Sequence, residues 1–247
     1  MIINNKDELL DNEKNDDENS IDTDNNDSDL VWEEIKTEHL IQDEWIDFRR
    51  SAFRFPDGSE FEPYYSYSRR NYVVIVATDE EGNYICVRQY RYGIKEVTTE
   101  FPAGGIEVSD NDDITSREEG NDSDETTSHK DVTNQVEYNL SSNYKVSEDV
   151  ALEAAVRELQ EETGYVSDEW RHLITVASNA TIADNYAYIF EAKNCRKVSG
   201  LMLDDTEFLN VRKYSAAELE KMVKENKFQQ AIHIMAWLYS KNFMSNK

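Results

Sequence analysis

Basic residues are scarce in this chain. Twenty-six lysines and arginines stand against 52 aspartates and glutamates, for a net charge of −26. Outside its most acidic stretches the chain still has no basic excess, which argues weakly against a nucleic-acid duplex as main partner, because phosphate backbones need a basic face. The acid is concentrated: residues 1–30 contribute −9 and residues 109–148 contribute −8. Both stretches are rich in Asn, Asp and Ser and poor in large apolar residues, so they bury too little surface to offset the entropy of ordering, and both are expected to be disordered. The remaining body is only moderately acidic. Small phosphorylated ligands stay open to it, since metal ions can supply the positive charge. Cysteine is scarce as well. Cys86 and Cys195 lie far apart with no CxxC, which reads as two reduced, buried thiols. No apolar run approaches membrane-spanning length, and the N-terminus lacks the basic and apolar regions of a signal peptide. The expectation is a cytoplasmic protein with no membrane partner. The four histidines, His39, His129, His172 and His233, show no metal-ligand spacing and read as ordinary structural or surface residues. No internal repeat is present. The 247 residues suffice for one sizeable domain, or at most two small ones.

The folded part is expected to begin at Leu30–Ile41, where Trp32, Ile35, Leu40 and Ile41 can be buried. Trp45 to Tyr67 is dense in aromatics and turns at Phe55-Pro-Asp-Gly58, the pattern of a hairpin. Tyr72–Ala77 is a continuous β-branched run and predicts a strand buried on both faces. Its partner is Tyr84–Tyr90, across a turn at Asp79–Asn83. Glu100–Ile106, with its paired glycines, reads as a strand end that lets backbone approach something closely. Ser147 can cap a helix whose positive end suits Glu148 and Asp149, and Gly164 is its expected stop. His172–Ala177, Ala187–Ala192 and Phe208–Val211 read as strands, Ser215–Glu218 as a capping box, and about 229–239 as a last helix.

Within the helix before Gly164 the residues read Arg157-Glu-Leu-Gln-Glu-Glu-Thr. At about 100° per residue, Glu158, Glu161 and Glu162 share one face about 100° wide. Ala155, Leu159, Leu152 and Val156 make a separate core face, Glu153 and Gln160 face water, and Arg157 lies beside Glu161. Like charges at i,i+3 and i,i+4 repel by a few tenths of a kcal/mol per pair. Two readings stay open: a solvated acidic face, or oxygen ligands for a hard cation such as Mg²⁺, beside the bare Pro102-Ala-Gly-Gly105 backbone.

Gly104-Gly-Ile followed by Arg157-Glu-Leu-Gln-Glu-Glu-Thr-Gly-Tyr165 resembles the signature box of the Nudix hydrolases. The second half fits at every fixed position. The first does not: Gly104 and Asp149 stand 45 apart where the pattern has six, an insertion of about 39 residues, and Asp149 stands for a glutamate. Phe55-Pro-Asp-Gly58, Val87-Arg-Gln-Tyr-Arg91 and Glu100-Phe-Pro-Ala-Gly-Gly105 resemble the ADP-ribose and ADP-sugar pyrophosphatases more closely. The resemblance implies an α/β (α+β) fold: an α/β/α sandwich with a mixed sheet over 71–245, interrupted by the acidic insertion at about 109–146. An antiparallel N-terminal β region, 31–70, would precede it and serve dimerisation and the base site, with the acidic tail at 1–30. It implies Mg²⁺, or Mn²⁺, held by Glu158, Glu161, Glu162 and the Ala103 carbonyl, with Arg157 orienting Glu161 and Gly104 supporting the site. Arg91 would reach the substrate phosphates, or else be a surface arginine. Glu207 would be the general base, with Asp205 second, or that loop is merely solvated. Asp184 stands where relatives have a substrate-loop acid. Trp45, Tyr64, Tyr65 and Tyr67 are candidates to stack on the base. The implied partner is a nucleoside diphosphate sugar, ADP-ribose first, hydrolysed by a homodimer. GDP-mannose-type sugars, dinucleotides and a non-catalytic nucleotide-binding module are the alternatives.

Overall fold

A computed structural model describes residues 27–107, 114–115, 145–204 and 206–243. Residues 1–26 of the expected acidic tail and most of the insertion lie outside the described residues; contrary to the expected disorder, 27–30, 114–115 and 145–146 are ordered. After a 3₁₀ turn at Asp27–Leu30 the chain forms β1 (Glu33–Gln42), β2 (Asp47–Arg54) and β3 (Glu60–Ser68). β4 (Tyr72–Asp79), β5 (Tyr84–Arg91), β6 (Glu96–Glu100) and β7 (Ala103–Gly105) follow. Two short strands, β8 (Ile114–Thr115) and β9 (Lys145–Val146), pair with each other just before α1 (Glu148–Thr163). Then come β10 (Tyr165–Val166), β11 (Glu169–Ala177), β12 (Tyr186–Lys197), β13 (Leu209–Tyr214), α2 (Ala216–Lys224) and α3 (Ala231–Phe243).

β1, β2 and β3 make an antiparallel sheet of their own. The second sheet runs β10-β12-β4-β5-β13, with β11 beside β12, β6 beside β5 and β7 beside β4. Its β12–β4 pairing is parallel and the others are antiparallel, so the sheet is mixed. β4 lies inside it and alternates between two cores. Val73, Ile75 and Ala77 meet Ala151, Ala155 and Leu159 of α1, while Val74 and Val76 meet Leu219 of α2 and Ala236 and Trp237 of α3. Helices thus cover both sheet faces. Each fully buried valine or isoleucine contributes about 1.5–3 kcal/mol, which is why this β-branched run can sit at the centre.

The caps of α1 follow its local sequence. Ser147 accepts the Val150 N–H at 3.4 Å, and Gly164 ends the helix at φ 76° with its N–H on Gln160 O. A Cβ at Gly164 would fall 2.3 Å from Ser199 O, so glycine is needed there twice over.

Three expectations need correction. Trp32, just before β1, and Ile35, Leu40 and Ile41 within it are exposed, because β1 is an edge strand of a sheet that no helix covers among the described residues. Val156 is also exposed, and in its place the buried side of α1 holds Ala151, Ala154, Glu158 and Glu162. The last predicted strand lies further along, at Leu209–Tyr214, where it pairs β5, and Phe208 points outward at its start.

Candidate active site

β7 pairs β4 through Val74↔Ala103, Val73↔Gly104 and Tyr72↔Gly105, which lays a flat backbone strip beneath α1. The glutamates of α1 meet that strip. Glu162 is 2% exposed, and its Oε2 accepts the Ala103 N–H at 3.0 Å. Glu158 is 7% exposed and rests on Gly104, where a Cβ would lie 2.0 Å from its carboxyl carbon. Only glycine lets the two approach. The carboxylate face is therefore buried rather than solvated, because the strip and the helix close over it. Glu161 is the more exposed member.

Arg157 holds this face together. Its Nη1 donates to Glu161 Oε2 at 2.7 Å, while its Nη2 donates to Gly105 O at 3.1 Å and lies 2.8 Å from Glu158 Oε1. Burial pushes the Glu158 carboxyl up to about 7 against the pull of Arg157, and the charges of Glu161 and Glu207 add to the rise. Burial likewise pushes Glu162 up to about 8 despite the Ala103 N–H, with Glu158 and Glu207 adding to it. Among the described residues, no group of three or more His, Cys, Asp or Glu side chains is drawn into a ready cage. The donor chemistry nonetheless fits a hard divalent cation: adjacent carboxylate oxygens, kept from water, whose raised pKa values a positive charge would reverse.

Glu207 belongs to this neighbourhood, since both buried glutamates feel its charge. The loop that carries it is tied to the end of α1 by Val198 N–H to Gly164 O and Met202 N–H to Glu161 O, both 2.9 Å. Glu207 itself accepts the Asp204 N–H at 3.2 Å. Asp205 lies outside the described residues. Glu148 and Asp149 are exposed at the first turn of α1, Glu148 lying 3.4 Å from His172 Nδ1.

Arg91, at the end of β5, does not stand free. Its Nε reaches Glu100 Oε1 at 2.9 Å and Oε2 at 3.2 Å, and its Nη2 reaches Oε2 at 2.5 Å. Its charge still bears on Glu162. Asp184 is engaged elsewhere. It accepts from Arg49 Nη2 at 3.0 Å and from Ser68 Oγ, and lines a cavity of about 500 Å³ between the three-stranded sheet and loop 178–185. Trp45 is exposed, with the Arg70 guanidinium 5.9 Å from its ring centre. Of the other aromatic candidates, Tyr64 donates to Thr181 O and Tyr65 stacks on Phe48.

Sequence reasoning missed Glu100 and His233 as partners. Glu100 is fully buried, and His233, read as an ordinary residue, accepts the Phe101 N–H on Nδ1 at 3.1 Å. The available signal was an acid at an apolar strand end, Thr98-Thr-Glu-Phe-Pro102, but its partners come from β5 and α3.

Residues 144–238, which hold α1 and its glutamates, match the family model of the NUDIX domain. Over those residues the chain matches a NUDIX domain and is similar to the Nudix hydrolases. It resembles the ADP-ribose pyrophosphatases within that family. It is 22% identical over 212 residues to a methanol dehydrogenase activator of Bacillus methanolicus, covering 83% of this chain and 90% of that one. An ADP-ribose pyrophosphatase of Bacillus subtilis (strain 168) is 22% identical over 160 residues, 64% of this chain and 65% of the relative. A solved ADP compounds hydrolase shares the fold, with a TM-score of 0.60 at 15% identity, covering 86% of this chain and 94% of that one. No described helix is long and apolar enough to cross a membrane.

Proposed function

We propose that the chain hydrolyses the diphosphate of a nucleoside diphosphate sugar in the presence of Mg²⁺ or Mn²⁺, ADP-ribose and water giving AMP and ribose 5-phosphate. The observation that carries this reading is the pair of buried carboxyls, Glu158 and Glu162, set against the Ala103-Gly104 backbone without a cationic partner equal to their burial. Glu158, Glu161, Glu162 and the Ala103 carbonyl would hold the metal. Bound there, a divalent cation supplies neutralising charge for the diphosphate and acidity for a water. The remaining chemistry belongs to the chain. Arg157 fixes the orientation of Glu158 and Glu161, as residues behind metal ligands do. Arg91 offers its remaining N–H groups to phosphate oxygens. Glu207 accepts the proton of the attacking water, with Asp205 as its alternate. Asp184 and Trp45 would contact the nucleoside from the side of the three-stranded sheet, where residues 31–70 serve the base site and pair two chains into a cytoplasmic homodimer.

The resemblance to the B. subtilis ADP-ribose pyrophosphatase supports the substrate class. The second reading is a domain that holds a nucleotide without turning it over. One experiment separates them. Purified protein with Mg²⁺ is given a panel headed by ADP-ribose, and the phosphate-ester products are identified. AMP plus ribose 5-phosphate, lost on adding EDTA, is expected. Turnover that survives chelation overturns the metal assignment, and silence across the panel, GDP-mannose and dinucleotides included, leaves the binding module.

A further inference from the structure

We propose that Glu100 is a positioning residue for the substrate's diphosphate: it sets the Arg91 guanidinium beside the carboxylate face of α1 and leaves Nη1 for phosphate oxygens. The inference rests on the diphosphatase reading. Glu100 is fully buried at the end of β6, three residues before Ala103. Its carboxylate takes Nε and Nη2 of Arg91 together, so one edge of the planar guanidinium is used and its plane is fixed. Among the described residues nothing occupies Nη1, and the Arg91 side chain keeps 38% of its exposure.

Glu100 is itself held from several elements. Thr98 Oγ1 donates to Oε1 from the same strand, and Gln230 Nε2 donates to Oε1 at 3.2 Å from just before α3. His233 of α3 has its Nδ1 engaged by the Phe101 N–H, so the neutral ring carries its proton on Nε2, 3.9 Å from Glu100 Oε2. A strand-end arginine would otherwise lose rotamer freedom each time it met a phosphate. Here that freedom is already gone before binding, which is how preorganisation raises affinity.

The test is the split between KM and kcat. Glu100→Gln keeps the shape and removes the charged fork, and it should raise the KM for ADP-ribose about tenfold while changing kcat less. In an Arg91→Ala background the same change should leave KM where Arg91→Ala alone put it, because the two act as one unit. Should Glu100→Gln not fold, Thr98→Val removes one donor to the same carboxylate and should raise KM in the same direction by a smaller factor. A folded Glu100→Gln or Thr98→Val protein with the wild-type KM overturns the inference, as does an equal effect in the Arg91→Ala background. Wild-type protein that turns over nothing overturns the diphosphatase reading, and this inference with it. Wild-type turnover with an unmoved KM overturns this inference alone.

Discussion

Glu100 and Glu162 are both nearly sealed from water, yet their surroundings treat them in opposite ways. Burial pushes the Glu100 carboxyl up, but the hydrogen bonds and charge of Arg91, with the hydrogen bond from Thr98, bring it below the ordinary range. Glu162 has one backbone N–H and the distant charge of Arg91 against its burial and two neighbouring acids, and it ends at about 8. A compensated buried carboxylate is a fixed part of the scaffold. Glu162, and Glu158 with only the half-exposed Arg157 beside it, keep raised carboxyls that added positive charge would bring down, because buried charge is costly.

Removing the uncompensated group breaks the comparison most sharply. Glu162→Gln should lower turnover of ADP-ribose by about a hundredfold or more, since it removes a proposed metal ligand. It should leave the melting temperature unchanged or higher, since it also removes a group that is expensive to ionise where it sits. Equal turnover in the variant would sink the role, and a large loss of stability would show that Glu162 belongs with Glu100 as scaffold.

Gly104→Ala gives the next largest effect. The new methyl meets only the end of the flexible Glu158 side chain, so that carboxylate shifts and the fold survives. Turnover should fall about tenfold with a melting temperature close to wild type. Undiminished activity would mean that Glu158 need not sit on the strip.

The smallest effect is a slope. Without metal, the stability that protonated Glu158 and Glu162 contribute is full below the ordinary carboxyl value of 4.5 and is lost as pH rises through about 7 and about 8. Glu100 works the other way: its contribution is present above 4.5 and is lost as pH falls through its depressed value. Melting in EDTA from about pH 5.5 to about pH 8.5 should therefore fall more steeply for wild type than for Glu162→Gln. Parallel curves would place the titration elsewhere.

What was legible in the sequence was local. Ser147, Gly164 and the i, i+3, i+4 spacing specify α1 and the shared face of its three glutamates, because helix geometry and caps act over a few residues. The β-branched run of β4 announced a strand buried on both sides. Burial of the carboxylate face was not legible. It depends on β7 lying under α1, and β7 is brought there by pairing with β4, far from α1 in the chain. Exposure of Trp32, Ile35 and Leu40 was equally hidden, because scattered apolar residues read the same whether or not a helix covers them.

The sequence by itself determined which side chains share a helix face, where that helix begins and ends, and the resemblance that names the chemistry. Only the tertiary structure decided which carboxylates are compensated. Glu100 finds Arg91 across β5 and β6 and Gln230 from beside α3, while Glu162 finds a backbone N–H and other acids. Charge compensation depends on distance in space and on exclusion of water, and neither is written in the order of residues.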